Sequence, residues 1–362
     1  MSVVTRLCQA RSQQAQFKTP DGAELAAPLK THASRKGLLY GGAALKRHLE
    51  ADPEYAALFA NQCGVLVPEG ELKWNALRPT PDSFNFGSAD WLYEFARSHN
   101  MKFRGHTLLW FQALPAWFNS YVNAGNAKKL LEDHVTRVVG HYSGKMHSWD
   151  VVNEVVDPHD KRSDGLQAKP WLELVGPEYI DLAFETARAA DKSALLVWNE
   201  NHLEINDKWS IAKRTALLSL LKEKLRRKIP IDAVGLQSHL STNNQSFNSE
   251  EFRNFVKAIV DLGLKIIISE LDVIDHDAPS SIASRDQMVA ETYNSFLSSM
   301  LKQPSVIAVL TWGLGDRYSW LAKFKPREDG LPVRPLPFDE SLAGKPAWTA
   351  TANAFDAVPV RH

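Results

Sequence analysis

The stretch KIIISELDV, Lys265–Val273, follows its lysine with three consecutive isoleucines and then sets Glu270 and Asp272 at the end of the apolar run. A short β-branched run of this kind reads as a strand buried on both faces. Burying an unpaired carboxylate costs several kcal/mol, so Glu270 at the strand's end calls for partners. The same rhythm recurs outward from it. GLLYGG (37–42), CGVLVPE (63–69), KFRGHTLLW (102–110), MHSWDVVNE (146–154), ALLVWNE (194–200), AVGLQSH (233–239) and VIAVLTWG (306–313) complete a set of eight runs with KIIISE (265–270).

Helix-period segments separate them. In SADWLYEFARSHN, Ser88 is placed as an N-cap, with Trp91, Leu92, Phe95 and Ala96 on one face. KKLLEDHVTRVVGHY aligns Leu130, Leu131, His134, Val135, Val138 and Val139, and SEEFRNFVKAIVDLG closes on Gly263 as the residue after the C-cap. Strands alternating with helices imply parallel pairing and right-handed crossovers. Eight such units predict an α/β chain folded as a single-domain (β/α)8 TIM barrel over residues 36–358, with the polar residues 1–35 as an irregular arm.

Barrel active sites form at the C-terminal ends of the strands. Seven of the eight runs carry, at or near their ends, Glu69, His106 and Trp110, Asn153–Glu154, Asn199–Glu200, Gln237–His239, Glu270 and Trp312. A purely structural rim would carry Gly, Ser, Asp and Asn caps instead. Glu154 and Glu270 are expected across one mouth, one protonated and one charged, because nearby like charges resist joint ionisation. A spacing of roughly 5–5.5 Å suits a retaining glycosidase and roughly 6.5–9.5 Å an inverting one. His239 and Asp272 can chain hydrogen bonds onto Glu270 and keep it anionic. Taken singly, Glu154 reads as a capping carboxylate, His239 as a packed histidine, and Trp110, Trp312 and Trp320 as core. Their conjunction at strand ends favours a site.

Lys plus Arg and Asp plus Glu both number 42, so no basic surface points to nucleic acid or to an anionic membrane. Eleven tryptophans suit sugar faces and cores alike. Cys8 and Cys63 allow one bridge and no zinc ribbon. The opening residues lack the apolar centre of a secretory leader, which leaves a cytoplasmic protein or a chain without its leader. No H-E-x-x-H pair and no Gly-rich phosphate loop occurs, so no metal and no cofactor is expected. Two rivals stand beside the hydrolase: Glu69, Glu154, Glu200 and Glu270 as a Mg2+ cluster in a lyase-like barrel, and a glycan binder without catalysis.

The motifs WDVVNE (149–154), ISELD (268–272), RGHTLLW (104–110), GLQSHL (235–240) and TWGLGDRYSW (311–320) closely resemble those of family 10 glycoside hydrolases, the endo-β-1,4-xylanases. PEGELKW (68–74) and FNFGSADWLYEFA (84–96) resemble that family's second strand and helix. The resemblance implies a TIM barrel cleaving β-1,4-linked xylose polymers by a retaining double displacement. It implies Glu154 as acid/base, Glu270 as nucleophile and Asn153 as the partner of the sugar 2-hydroxyl. His239 and Asp272 match the network around the nucleophile, and Gln237 a partner of the acid/base. Lys73, His106, Trp110, Trp312 and Trp320 match residues lining the non-reducing side of the cleft, with Glu69 a sugar-hydroxyl acceptor. Partners expected are a β-1,4-linked polysaccharide or oligosaccharide, no nucleic acid and no membrane, with the chain a monomer. Gly70, Phe111, Ala113 and Leu321 depart from the family pattern, where Asn, His, Gln and Arg are usual. The departures predict altered glycone selectivity with intact chemistry.

Overall fold

In the computed structural model, residues 17–361 are described except 20, 21, 23, 26 and 245. Nine strands carry the sheet: β1 Leu39–Ala44, β2 Val65–Pro68, β3 Lys102–Gly105, β4 Ser148–Asn153, β5 Leu195–Glu200, β6 Ala233–Leu236, β7 His239–Ser241, β8 Lys265–Ile274 and β9 Val306–Thr311. Strands β1 to β6 pair in order and in parallel, β6 pairs with β8, β8 with β9 and β9 with β1, which closes an eight-stranded barrel. Strand β7 is an extra strip on the outer half of β8, matching His239 to Asp272. The predicted (β/α)8 TIM barrel is the fold.

Ile267, Val65, Val67, Val197, Ala233, Ala308 and Leu310 fill the barrel's interior, and Trp312 joins them at its top. Ile266 and Ile268 point the other way, into the layer between strands and helices. Burial of both faces explains why these strands read as unbroken apolar runs rather than alternating ones. The helix Glu250–Asp261 shows the matching logic: Ser249 caps it through the Phe252 N–H, while Phe252, Phe255, Val256 and Ile259 form the buried face. Gly263 follows it at φ +80° as read from sequence.

Three readings need correction. The third run stops as a strand at Gly105, a position held to glycine because a β-carbon there would stand 1.9 Å from the Trp149 ring. Residues beyond it leave the ladder and return to β4 through Leu108 N–H to Asp150 O and Leu109 N–H to Val151 O. The sixth run is broken at Ser238, whose φ of +63° turns the chain and whose hydroxyl donates to Glu204. Ser88 is not an N-cap; it lies in the first turn of the helix Gly87–Ser98, with the Asn85 side chain accepting from Gly87 N–H.

Within the expected N-terminal arm, Leu29–Ser34 is a helix that buries Leu29 and Ala33, and His32 bonds Asp356 of the C-terminal helix at 2.9 Å. At six residues this helix is too short to show a period. Cys63 is buried, and Cys8 lies outside the described residues, so the possible bridge does too.

Candidate active site

Both expected catalytic carboxylates are placed by an irregularity in their strands, Glu154 just after one and Glu270 within one. Strand β4 shifts register against β5 between Asp150 and Val152, and β8 shifts against β9 between Ile268 and Leu271. An extra residue of this kind breaks the alternation and re-aims the side chains beyond it. Glu154 follows β4 at a left-handed φ of +56°, its N–H held by Asn199 O at 3.0 Å. Glu270 N–H is held by Gln237 O at 3.0 Å.

The two carboxylates sit at opposite ends of one chain of amides. Gln237 Nε2 donates to Glu154 Oε1 at 2.9 Å and stands 3.3 Å from Asn153 Oδ1. Asn199 Nδ2 donates to Asn153 Oδ1 at 2.8 Å and to Glu270 Oε1 at 2.7 Å. With its oxygen occupied from both sides, Asn153 has its NH2 left as a donor for an incoming hydroxyl. Asn199 is itself fixed by Ser269 Oγ, which donates to its Oδ1 at 2.6 Å. Gly235 beside it makes the fit possible, since a β-carbon there would stand 2.1 Å from Asn199 Oδ1.

Charge separates the two acids. Burial pushes the Glu270 carboxyl up, but the hydrogen bond from His239, the charges of His106 and His239, and the Asn199 amide bring it down to about 2. His239 Nε2 stands 3.5 Å from Glu270 Oε2, and its Nδ1 lies 2.9 Å from Asp272 Oδ1. Burial works against the imidazolium, yet Asp272 and Glu270 together hold it well above the ordinary histidine range. Trp320 Nε1 donates to the other Asp272 oxygen at 2.8 Å, so Asp272 orients a histidine and an indole at once. Glu154, by contrast, receives only neutral N–H donors: Gln237, and Trp110 Nε1 at 2.9 Å on Oε2.

The remaining predicted residues surround this pair. Lys73 Nζ lies 4.8 Å from the Trp110 ring centroid and 6.0 Å from that of Trp312. Burial lowers the Lys73 ammonium against the pull of Glu270, Glu69 and Glu154. Burial lifts Glu69 to about 7, with Lys73 opposing it. His106 Nδ1 bonds Asp150 Oδ2 at 3.0 Å, and its ring meets Trp312 edge-on at 5.1 Å. Asp150 is shared with the buried Arg104, which also donates to Ser148 Oγ at 2.8 Å.

The four-glutamate cluster of the Mg2+ reading does not assemble. Glu200 turns its carboxylate to the Val155 and Val156 N–H groups and to Lys213. Among the described residues, no group of three His, Cys, Asp or Glu is placed to hold a metal ion. Sequence reasoning left Asn199 out of the site although it ends a strand. The signal was the paired VVNE (151–154) and VWNE (197–200), which places Asn153 opposite Asn199 in the ladder.

The model of the family described as Glycosyl hydrolase family 10 matches residues 28–354. This chain belongs to glycosyl hydrolase family 10. The family is one of retaining glycoside hydrolases. The chain is similar to Endo-1,4-beta-xylanase A of Thermoanaerobacterium saccharolyticum, at 34% identity over 86% of this chain and 26% of that protein. It thus spans about a quarter of that relative's length. It is also similar to Endo-1,4-beta-xylanase 3 of Hypocrea jecorina, at 32% identity over 87% of this chain and 82% of that one. Among solved structures, xylanase 10B of Thermotoga petrophila in complex with xylobiose superimposes with a TM-score of 0.84 at 30% identity, covering 92% of this chain and 98% of that one.

Proposed function

We propose that this family 10 hydrolase cleaves internal β-1,4-xylosidic bonds of xylan by double displacement. The observation that carries the reading is the amide chain joining a glutamate held anionic to one ligated only by neutral donors. Glu270 attacks the anomeric carbon while Glu154 gives its proton to the departing glycosidic oxygen. Glu154 then removes a proton from water, which displaces Glu270 from the sugar with a second inversion. The free Asn153 NH2 donates to the 2-hydroxyl, a contact that strengthens as positive charge builds on the ring. Trp110, Trp312 and Trp320 offer aromatic faces to the sugars, while Lys73, Glu69 and His106 line the glycone side. The relatives' names and the xylobiose complex point to xylan as the substrate class. On linear xylan, viscosity falls well before reducing ends accumulate; release of xylose alone from chain ends would contradict internal cleavage.

The glycone pocket differs from the family pattern at four positions, and their surroundings support altered selectivity there. Phe111 lies with the Lys169 ammonium 5.3 Å from its ring centroid, an apolar and cationic wall where a neutral polar group is usual. Ala113 sits at φ +53° with its carbonyl taken by Asn75 N–H, and it offers no side-chain polar group. Leu321 is buried, and Gly70 stands against Leu45 with 3.1 Å for a β-carbon. Two missing hydrogen bonds at about 0.5–1.5 kcal/mol each weaken a second glycone sugar by roughly one to two orders of magnitude. Aryl β-xyloside and aryl β-xylobioside are therefore hydrolysed with kcat/KM values within about tenfold of each other. A xylobioside preference of about a thousandfold or more contradicts this.

A further inference from the structure

Glu200 ends β5 fully buried, and no part of the proposed chemistry uses it. Its Oε1 accepts three N–H groups: Val155 at 2.9 Å, Val156 at 3.1 Å and the Trp198 indole at 3.0 Å. Its Oε2 meets Lys213 Nζ at 2.9 Å, also buried, on the helix Lys208–Arg226. The preceding residue, Asn199, takes the N–H of Glu154 on its carbonyl. The last two residues of β5 therefore grip the backbone on both sides of Glu154. That backbone needs gripping, because a side chain at φ +56° stands in a region that β-carbons disfavour. A second arm closes the loop: Trp209 Nε1 donates to Asp157 Oδ1 at 2.9 Å, and the Lys213 ammonium lies 5.3 Å from the Trp209 ring centroid.

We propose that Glu200, with Lys213 as its counter-charge, is a positioning residue for the acid/base: it locks the turn after Glu154 so that the Glu154 carboxyl stays in line with the departing oxygen. Three donors converging on one charged oxygen give a stiffer hold than neutral acceptors provide. The inference rests on Glu154 being the acid/base.

A lone Glu200 substitution strands a buried lysine, so the test uses charge-neutral doubles. Glu200→Leu/Lys213→Met removes the clamp, while Glu200→Gln/Lys213→Met keeps a carbonyl oxygen for the amides. Both are compared with wild type and Glu154→Ala by kcat/KM on 2,4-dinitrophenyl and unactivated phenyl β-xylobiosides. Loss of aligned acid catalysis hurts only the substrate whose leaving group needs the proton. The Leu/Met double is expected to lose about a hundredfold on the phenyl substrate and to stay within about threefold on the dinitrophenyl one. The Gln/Met double keeps most of the phenyl activity. Equal losses of the Leu/Met double on both substrates, or identical behaviour of the two doubles, overturn the clamp. If Glu154→Ala itself fails to discriminate between the substrates, the acid/base reading has failed instead. Discrimination by Glu154→Ala with none by the Leu/Met double overturns the clamp alone.

Discussion

Glu270→Ala abolishes turnover of xylan and of aryl xylobiosides alike, lowering kcat by about ten-thousandfold or more, roughly 5.5 kcal/mol of barrier. The effect is independent of the leaving group because both substrates need the same bond to the anomeric carbon. Glu270 is suited to that bond by its surroundings. It is buried away from bulk water, yet His239 and the Asn199 amide keep it charged down to about pH 2. The alanine variant removes the nucleophile and leaves the imidazolium with Asp272, so the fold survives and only chemistry is lost. Steady-state rates beside a thermal melt separate the two. Retention of more than about a hundredth of the wild-type rate by a folded variant contradicts the assignment.

Glu154→Ala gives the opposite pattern across substrates. On xylan, whose leaving group is a sugar hydroxyl, kcat/KM falls by about a hundred- to ten-thousandfold. On a dinitrophenyl xylobioside the first step needs no proton, so kcat/KM changes little while the glycosyl-enzyme accumulates for want of a base. Added azide, which needs no deprotonation, speeds release and yields a β-glycosyl azide. The prediction follows from the acid/base role proposed for Glu154, whose two carboxylate oxygens the neutral Trp110 and Gln237 N–H donors hold in place. A uniform loss on both substrates, with no azide effect, contradicts an acid/base role.

The barrel was legible because its signal is local. Strands covered on both faces are largely apolar, and polar residues gather where each strand emerges, as Glu270 does after Ile266–Ile268; the buried Arg104–Asp150 pair is an exception, neutralised within the barrel wall. What escaped the sequence depends on contacts between distant residues. Nothing near Gly105 reveals that the Trp149 ring packs against it or that its strand ends there. Nothing within WNE distinguishes Glu200 from Glu154 in VNE. The difference lies in Lys213, a helix residue that meets Glu200 in the interior, and in the left-handed turn at Glu154. Asn199 was missed for the same reason: its role appears only where Asn153, Ser269 and Glu270 converge on its amide.

A covalent trap reaches the centre of the account. Two glutamates 116 positions apart (154 to 270) must act on one anomeric carbon, one as nucleophile and one as proton donor. Treatment with 2,4-dinitrophenyl 2-deoxy-2-fluoro-β-xylobioside, followed by peptide mass mapping, locates the atom that bonds the sugar. The account predicts one label per chain, on the peptide containing Ser269–Glu270–Leu271 and carried by Glu270. A label on any other carboxylate would contradict it.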